Sequence, residues 1–372
     1  MDKIKKDISK WIKTILELWR DGKKNIKFPE DKLTNDELNI ISNYVKQISA
    51  GLTEKRELVG TKYLNNKNFL YGYLLFYWII SYMQLRFILL DVDVNKKSAI
   101  DFGCGPGPLS FALADIGVRN IFSLDNSNNA LDFVSKLSSF TNQKIFTKLW
   151  DGQNDMDIPS GKFDVVTFGH IINELWKNDP DKIAKRVNLV EKIGNILNKD
   201  GIIIIIEPAL HNTTKDLILL RNQLVEKGFY ILTPCINKNY CNIVDKETLS
   251  CHTDFNWTPP KIVEQIANKI NLKKDMLKMS FLVIKKETAE AEDIFRIISD
   301  PMLSKSGKIR FFICGKNGKF TLKSDKDFSH YEDFLSLKRG DLIQIKDCDF
   351  AENTFTLKFQ SLLNIIKKNE IN

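Results

Sequence analysis

The chain has 372 residues and carries 55 Lys and Arg against 47 Asp and Glu, a formal net charge of +8. That length accommodates one large core and a smaller second unit. Six cysteines are too few for a secreted disulfide scaffold, and with no recognisable signal peptide they predict a reducing, cytoplasmic setting. The lysines are dispersed, which suits an anionic partner such as RNA as well as a plain solvated surface.

Residues 1–95 read as helical throughout, with a loop from Lys23 to Lys32. Trp11, Ile12, Ile15, Leu16 and Trp19 recur at helical spacing. The apolar run from Phe69 to Leu90 is interrupted by Tyr71, Tyr73, Tyr77, Tyr82, Gln84 and Arg86. It is too short of uninterrupted apolar length for a membrane span and predicts a buried helix. From Lys97 the pattern changes to strands and helices in alternation. Strands are expected at Lys97–Asp101, Asn120–Leu124, Gln143–Leu149, Phe163–Phe168 and Gly201–Ile206, and helices at Pro108–Ile116, Asn128–Phe140 and Pro180–Leu197. Continuous β-branched runs between helices are what a parallel sheet buried on both faces requires. A further strand, Met279–Lys285, returns to that sheet. From about 305, short alternating strands at Lys308–Cys314, Lys319–Leu322, Asp341–Ile345 and Thr354–Phe359 predict a small basic, barrel-like module.

The expected fold class is therefore α/β, a doubly wound, Rossmann-like core. Its expected parts are a helical region 1–95, a core 96–290 with an insertion at about 233–275, and a β-rich module 305–365.

The segment Asp101-Phe-Gly-Cys-Gly-Pro-Gly107 joins the first strand to its helix. Gly103, Gly105 and Gly107 supply positions without Cβ, where the chain bends and its amides approach a cofactor. An acid placed before the first glycine is the methyltransferase form of this turn rather than the dinucleotide form, so the expected core is that of a class I S-adenosylmethionine-dependent methyltransferase (Rossmann-like). Asp101 either steadies the loop or meets the ammonium group of the cofactor. Asp125, at the end of the second strand, is placed for the ribose hydroxyls. Trp150 and Asp151 after the third strand are candidates for covering adenine and receiving its amino group, and His170 opens the polar cluster after the fourth. Asn173 and Glu174 face the expected entry of a methyl acceptor. That position has neither an Asn-Pro-Pro-Tyr motif nor a Pro-Cys nucleophile.

Cys235, Cys241 and Cys251 lie in the insertion among polar residues, an unusual setting for packing cysteines, and suggest a metal site. Their spacing does not choose between zinc and an iron–sulfur cluster, and either needs a fourth ligand, for which His252 and Cys314 are candidates. Cys104 and Cys348 read as small packing residues.

These motifs together resemble one family, the methyltransferase-like proteins related to the mitochondrial small-ribosomal-subunit assembly factor. The likeness runs from about 60 to 345. It rests on the aromatic helix Tyr63–Leu90, the 101–108 loop, His170-Ile-Ile-Asn-Glu-Leu175, Ile206-Glu207-Pro208, Pro234-Cys235 through Cys241, Cys251-His252, Phe281–Ile284 and Lys308–Cys314. The resemblance implies a [4Fe-4S] cluster on Cys235, Cys241, Cys251 and Cys314, which favours Cys314 over His252 and the cluster over zinc. It also implies association with the small ribosomal subunit or its rRNA. No DNA or membrane partner is expected, and a monomer is. The chain departs from the family in Cys235-Ile-Asn-Lys-Asn-Tyr-Cys241, where Cys-Pro-His is common, and in Glu207-Pro208-Ala209, where Glu-Pro-Gly is common. Two other readings are consistent with the residues: a non-catalytic RNA-binding assembly factor, and a small-molecule methyltransferase with a structural zinc.

Overall fold

The computed structural model describes residues 2–21, 29–51, 66–152, 158–245, 251–286, 293–303 and 308–369. Most of the expected loop at 23–32 and the first residues of the aromatic helix, 63–65, lie outside the described residues.

Three helical segments precede the sheet. In α1, Asp2–Arg20, the apolar stripe Ile4, Ile8, Trp11, Ile12, Ile15 and Leu16 is buried, as its 3.6-residue period requires. In α2, Asn35–Ser49, a full capping box joins Thr34 and Glu37. The next helix runs as α3, Lys67–Tyr73, through a π-helical stretch Leu74–Trp78, into α4, Ile79–Ile88. All ten residues of α4, including Gln84 and Arg86, are buried. Residues 89–97 are not helical, so the helical region ends before the expected 95.

The first sheet contains β1 Ser98–Phe102, β2 Asn120–Asp125, β3 Lys144–Leu149, β4 Phe163–Gly169, β5 Leu197–Glu207, β6 Tyr230–Thr233, β7 Thr253–Asn256 and β8 Met276–Lys285. Their order is β3-β2-β1-β4-β5-β8-β6, with β7 also pairing β8. The first five strands are parallel, and β8 runs antiparallel to β5, β6 and β7. Helices α5 Pro108–Asp115, α6 Asn128–Ser138, α7 Lys182–Gly194, α8 His211–Glu226 and α9 Lys261–Lys269 complete this unit.

The isoleucine run of β5 shows how the layers form. Ile202, Ile204 and Ile206 belong to the core that includes α1, α4, α5 and α9. Ile203 and Ile205 belong to the other core, under α7 and α8. Alternation with period two thus feeds both faces.

Three expectations change. The helix expected at 180–197 is shorter, because Leu197 pairs Phe163 and already starts β5. The third strand is not buried on both faces: β3 lies at the sheet edge, with Phe146 45% and Leu149 54% exposed. The stretch at 233–275 is not simply an inserted loop, since Trp257, Ile262, Val263 and Ile266 are part of the first core.

A second sheet comprises β9 Phe295–Ile297, β10 Met302–Leu303, β11 Ile309–Gly315, β12 Gly318–Ser324, β13 Leu342–Lys346, β14 Asp349–Ala351, β15 Thr354–Leu357 and β16 Leu362–Lys367, with α10, Tyr331–Ser336. Its order is β14-β15-β12-β11-β9-β13-β16, with β10 on β11. Among the described residues the ladder is open at β14 and β16, so it is an open sheet with its own apolar core rather than a closed barrel.

Candidate functional site

The glycine loop is held in place from three sides. Gly103, Gly105 and Gly107 have φ of +62°, +53° and +81°, the left-handed region that favours glycine. A Cβ on Gly103 would come within 2.6 Å of Ile171, so the loop packs tightly against the turn that follows β4. A Cβ on Gly105 would meet nothing within 4 Å. The loop has open space at that one point. From the helical region, buried Trp78 donates its indole N–H to the Pro106 carbonyl at 3.0 Å. The π-helical stretch is thus fixed to the loop, a common use of such local irregularities.

Two carboxylates order the loop. Asp101, 1% exposed, accepts hydrogen bonds from Ser110 Oγ and Thr167 Oγ1, each at 2.7 Å. Burial pushes its carboxyl up to about 6, against the pull of those hydroxyls. Asp101 thereby joins the end of β1 to α5 and β4. Asp125 accepts from the N–H of Gly105 at 2.8 Å and of Ser127 at 2.9 Å. Burial raises its carboxyl too, with these N–H groups opposing. Tyr73 reaches the same neighbourhood from α3: burial pushes its phenol up, and the charges of Asp125 and Asp101 add to that.

Trp150 is 5% exposed, its ring edge-on to Phe102 at 4.9 Å, and its indole N–H is buried without a partner among the described residues. Asp151 beside it is exposed. His170, at φ +60°, shares a 3.0 Å hydrogen bond between Nε2 and Gln84 Oε1, while its Nδ1 is buried without a partner among the described residues. Burial lowers its imidazole to about 4, so it is neutral at physiological pH. Orphaned polar atoms are rare in native interiors and mark places where a further group belongs.

Asn173 is buried. Its N–H donates to Glu207 Oε1 at 3.0 Å, its side-chain amide donates to the Thr213 carbonyl at 3.4 Å, and its own carbonyl accepts from Arg186 at 2.9 Å. Burial pushes Glu207 up to about 7. Glu174, on the same turn, is half-buried. Sequence reasoning missed Tyr73, Trp78 and Gln84, which come from a separate helix. It saw Glu207 only as part of a motif.

The four cysteines expected to ligate come together. Cys235, Cys241, Cys251 and Cys314 line one part-open cavity with ≈ 580 Å³ of empty space, open solvent included. His252 lines it as well, at 3.4 Å from Asp254 Oδ1. The loop after β6 contributes Cys235 and Cys241, the segment before β7 contributes Cys251, and β11 of the second sheet contributes Cys314. Burial pushes the Cys241, Cys251 and Cys314 thiols up, Cys314 to about 12, and the neighbouring sulfurs add to this. Arg221, Arg296 and Arg339 line the same cavity. The donor set suits a thiolate-held metal centre, although among the described residues no three ligating side chains are gathered closely enough for a single ion. Cys104 is buried in the first core, away from this cavity, and Cys348 is half-buried against the core of the second sheet.

The five parallel strands, the reversed strand beside β5 and the glycine loop at the end of β1 define a Rossmann-like protein of the class I methyltransferase type. Residues 87–341 match the family described as mitochondrial small ribosomal subunit Rsm22. The chain belongs to that family. The human eEF1A lysine and N-terminal methyltransferase is 23% identical over 128 residues, 34% of this chain and 18% of its own length. Ribosomal protein L11 methyltransferase of Legionella pneumophila is 42% identical over 43 residues, 12% of this chain and 15% of its own length. The chain thus spans less than a fifth of these curated relatives. Among solved structures, a methyltransferase from Pyrococcus furiosus superposes with a TM-score of 0.38 at 11% identity, over 56% of this chain and 83% of that one. Among the described residues no helix is long and apolar enough to cross a membrane.

Proposed function

We propose that this chain binds S-adenosylmethionine over the 103–107 loop, holds a [4Fe-4S] cluster on Cys235, Cys241, Cys251 and Cys314, and acts on or during assembly of the small ribosomal subunit through its rRNA. The convergence of four cysteines from three chain segments on one cavity carries this reading. A zinc ion draws each of its sulfurs to about 2.3 Å. Thiols spread around a cavity instead suit a centre in which each of four irons takes one thiolate. Because Cys314 belongs to the second sheet, such a centre also ties that sheet to the core. In this reading the N-terminal region 1–95, the core 96–290 and the module 305–365 are three working parts of a cytoplasmic monomer.

For the cofactor, the support is the open space above Gly105, with Asp125 bonded to its N–H, and, directly after β3 and β4, the N–H of Trp150 and Nδ1 of His170, both without a partner among the described residues. Asp101, Gly103 and Gly107 shape the pocket, Asp151 is the candidate partner of adenine, and Asn173 and Glu174 are the groups assigned to orient an acceptor. For RNA, the support is a ladder on the second sheet. Arg310 pairs Lys323 across β11 and β12, and two residues along the same face Lys319 Nζ lies 3.4 Å from the centroid of the Phe312 ring. Cations beside an aromatic face are what single-stranded RNA needs for its phosphates and bases.

The test is anaerobic purification with iron and sulfide counts, followed by cross-linking to bound RNA. Stoichiometric iron and sulfide that disappear in Cys314→Ser, with cross-links to small-subunit rRNA that weaken in Arg310→Glu/Lys323→Glu, support the reading. Stoichiometric zinc without sulfide would replace the cluster by the structural-zinc alternative.

One observation favours cofactor binding without turnover. The backbone and side-chain amide of Asn173 are already engaged with Glu207, Arg186 and Thr213, which suits a structural turn better than a group that reaches a substrate. Transfer of labelled methyl to small-subunit RNA, lost in Glu174→Ala, would exclude that second reading.

A further inference from the structure

Three arginines around the cysteine cavity have no part in the sequence motifs. Arg221, from α8, is 1% exposed. Its guanidinium donates to the carbonyls of Asn237 and Asn239, and its Nε is buried without a partner among the described residues. Arg296, on β9, is the register partner of Cys314 on β11, and donates to the carbonyls of Pro234 at 3.0 Å and Gly340 at 2.9 Å. Arg339 reaches Asp254 Oδ2 at 3.5 Å, where Asp254 is already engaged by His252, and exposed Asp300 Oδ1 at 3.7 Å.

A guanidinium is charged under all ordinary conditions, and burying a cation without a counter-ion costs several kcal/mol. The partners of Arg221 and Arg296 are carbonyl oxygens, which satisfy N–H groups but neutralise no charge. Among the described residues no carboxylate lines the cavity. The missing negative charge has an obvious source in the cysteines: four thiolates on a zinc ion or on an oxidised [4Fe-4S] core both make a dianion.

We propose that Arg221, Arg296 and Arg339 are the counter-charge of the four-cysteine site, a fixed cationic shell that allows a dianionic tetrathiolate centre to be held in a largely buried cavity. This rests on the reading that a thiolate-bound centre occupies the cavity, but not on which one. The arginines are positioning residues; none is a ligand. Arg221 has the additional task of shaping the ligand loop through the carbonyls of Asn237 and Asn239. Arg296 also holds the Pro234 carbonyl beside Cys235, so Arg339 and the lysine variant of Arg296, which keeps the charge, isolate the charge effect better.

The experiment uses the full chain, purified without oxygen, and compares wild type with Arg296→Met, Arg339→Met and the two lysine variants. Metal and sulfide content are counted, and the rate of metal loss to a chelator is followed. The methionine variants are expected to lose the centre about 10–100-fold faster, the usual range for removing outer partners of a metal site, and the lysine variants to recover most of the difference. For a cluster, the methionine variants also shift the reduction potential to more negative values, because reduction adds a further negative charge that the shell no longer offsets. Methionine variants that release the centre at the wild-type rate would overturn the proposal. Lysine variants as labile as the methionine ones would also do so, showing that the planar fork and not its charge matters. If wild type carries zinc, the cluster reading fails while the same release comparison still decides the role of the arginines. Wild type with neither metal nor cluster overturns both.

Discussion

Alanine at Gly105 separates a turn that serves only packing from a loop that lies under a ligand. Gly105 has φ +53°, so alanine there costs roughly 1–2 kcal/mol for adopting the left-handed region. No steric term adds to this, because the new methyl meets nothing within 4 Å. Gly228 is a matched control, with φ +85° and the same open surroundings. It precedes β6, whose first residue Tyr230 pairs Lys285, whereas the site end of the sheet is marked by Glu207 pairing Ser280. Gly228→Ala therefore carries the same backbone cost at the opposite end of β8. Both variants should melt a few degrees below wild type. Only Gly105→Ala should lose affinity for S-adenosylhomocysteine, by tenfold or more, or about 1.4 kcal/mol. Calorimetric titration beside thermal melts reads both quantities. If Gly105→Ala binds as wild type does while sharing the drop in melting temperature, the space above the loop is solvent and the pocket assignment fails.

Trp78→Phe keeps the aromatic packing but leaves the buried Pro106 carbonyl without its donor, a loss of about 1–3 kcal/mol. Its affinity for the same ligand should fall with stability, and unchanged affinity would show that the helix does not set the loop. Arg86 is 4% exposed and bonds Asp7 at 2.8 Å, with Asp115 at 3.9 Å. Arg86→Leu leaves two carboxylates without their cation, and denaturant unfolding should show a loss of about 3–5 kcal/mol together with easier proteolysis of α1. A loss under about 1 kcal/mol would place this pair among exposed, screened ones. Glu207 is raised from 4.5 to about 7 by burial. Between those values the folded chain holds a proton that the unfolded chain has lost, so this group favours folding at low pH, and the benefit fades as pH rises through 7. Glu207→Gln should flatten the fall in melting temperature across that window. An unaltered slope would mean that Glu207 is ionised in the fold.

The residues of the glycine loop and the parallel strands declare themselves in the sequence because their constraints are local. A positive φ at Gly105 and a two-residue alternation through Ile202–Ile206 depend on neighbours in the chain. The cysteines were legible as a set, but only through residue type and resemblance; their meeting in one cavity required β11 to be laid against the loop after β6. Other features had no sequence signal. β3 has the strand pattern of its neighbours, yet it lies at an edge with Phe146 and Leu149 exposed, since position in a sheet is a property of topology and not of the segment. The bond from Gln84 to His170 spans 86 positions, and Arg221, Arg296 and Arg339 arrive from α8, β9 and the turn before β13. Thus the sequence by itself determined which turn takes left-handed glycines and which cysteines form a candidate ligand set. Tertiary structure alone decided what charge surrounds those ligands and which helix closes over that turn, because both depend on contacts between residues far apart in the chain.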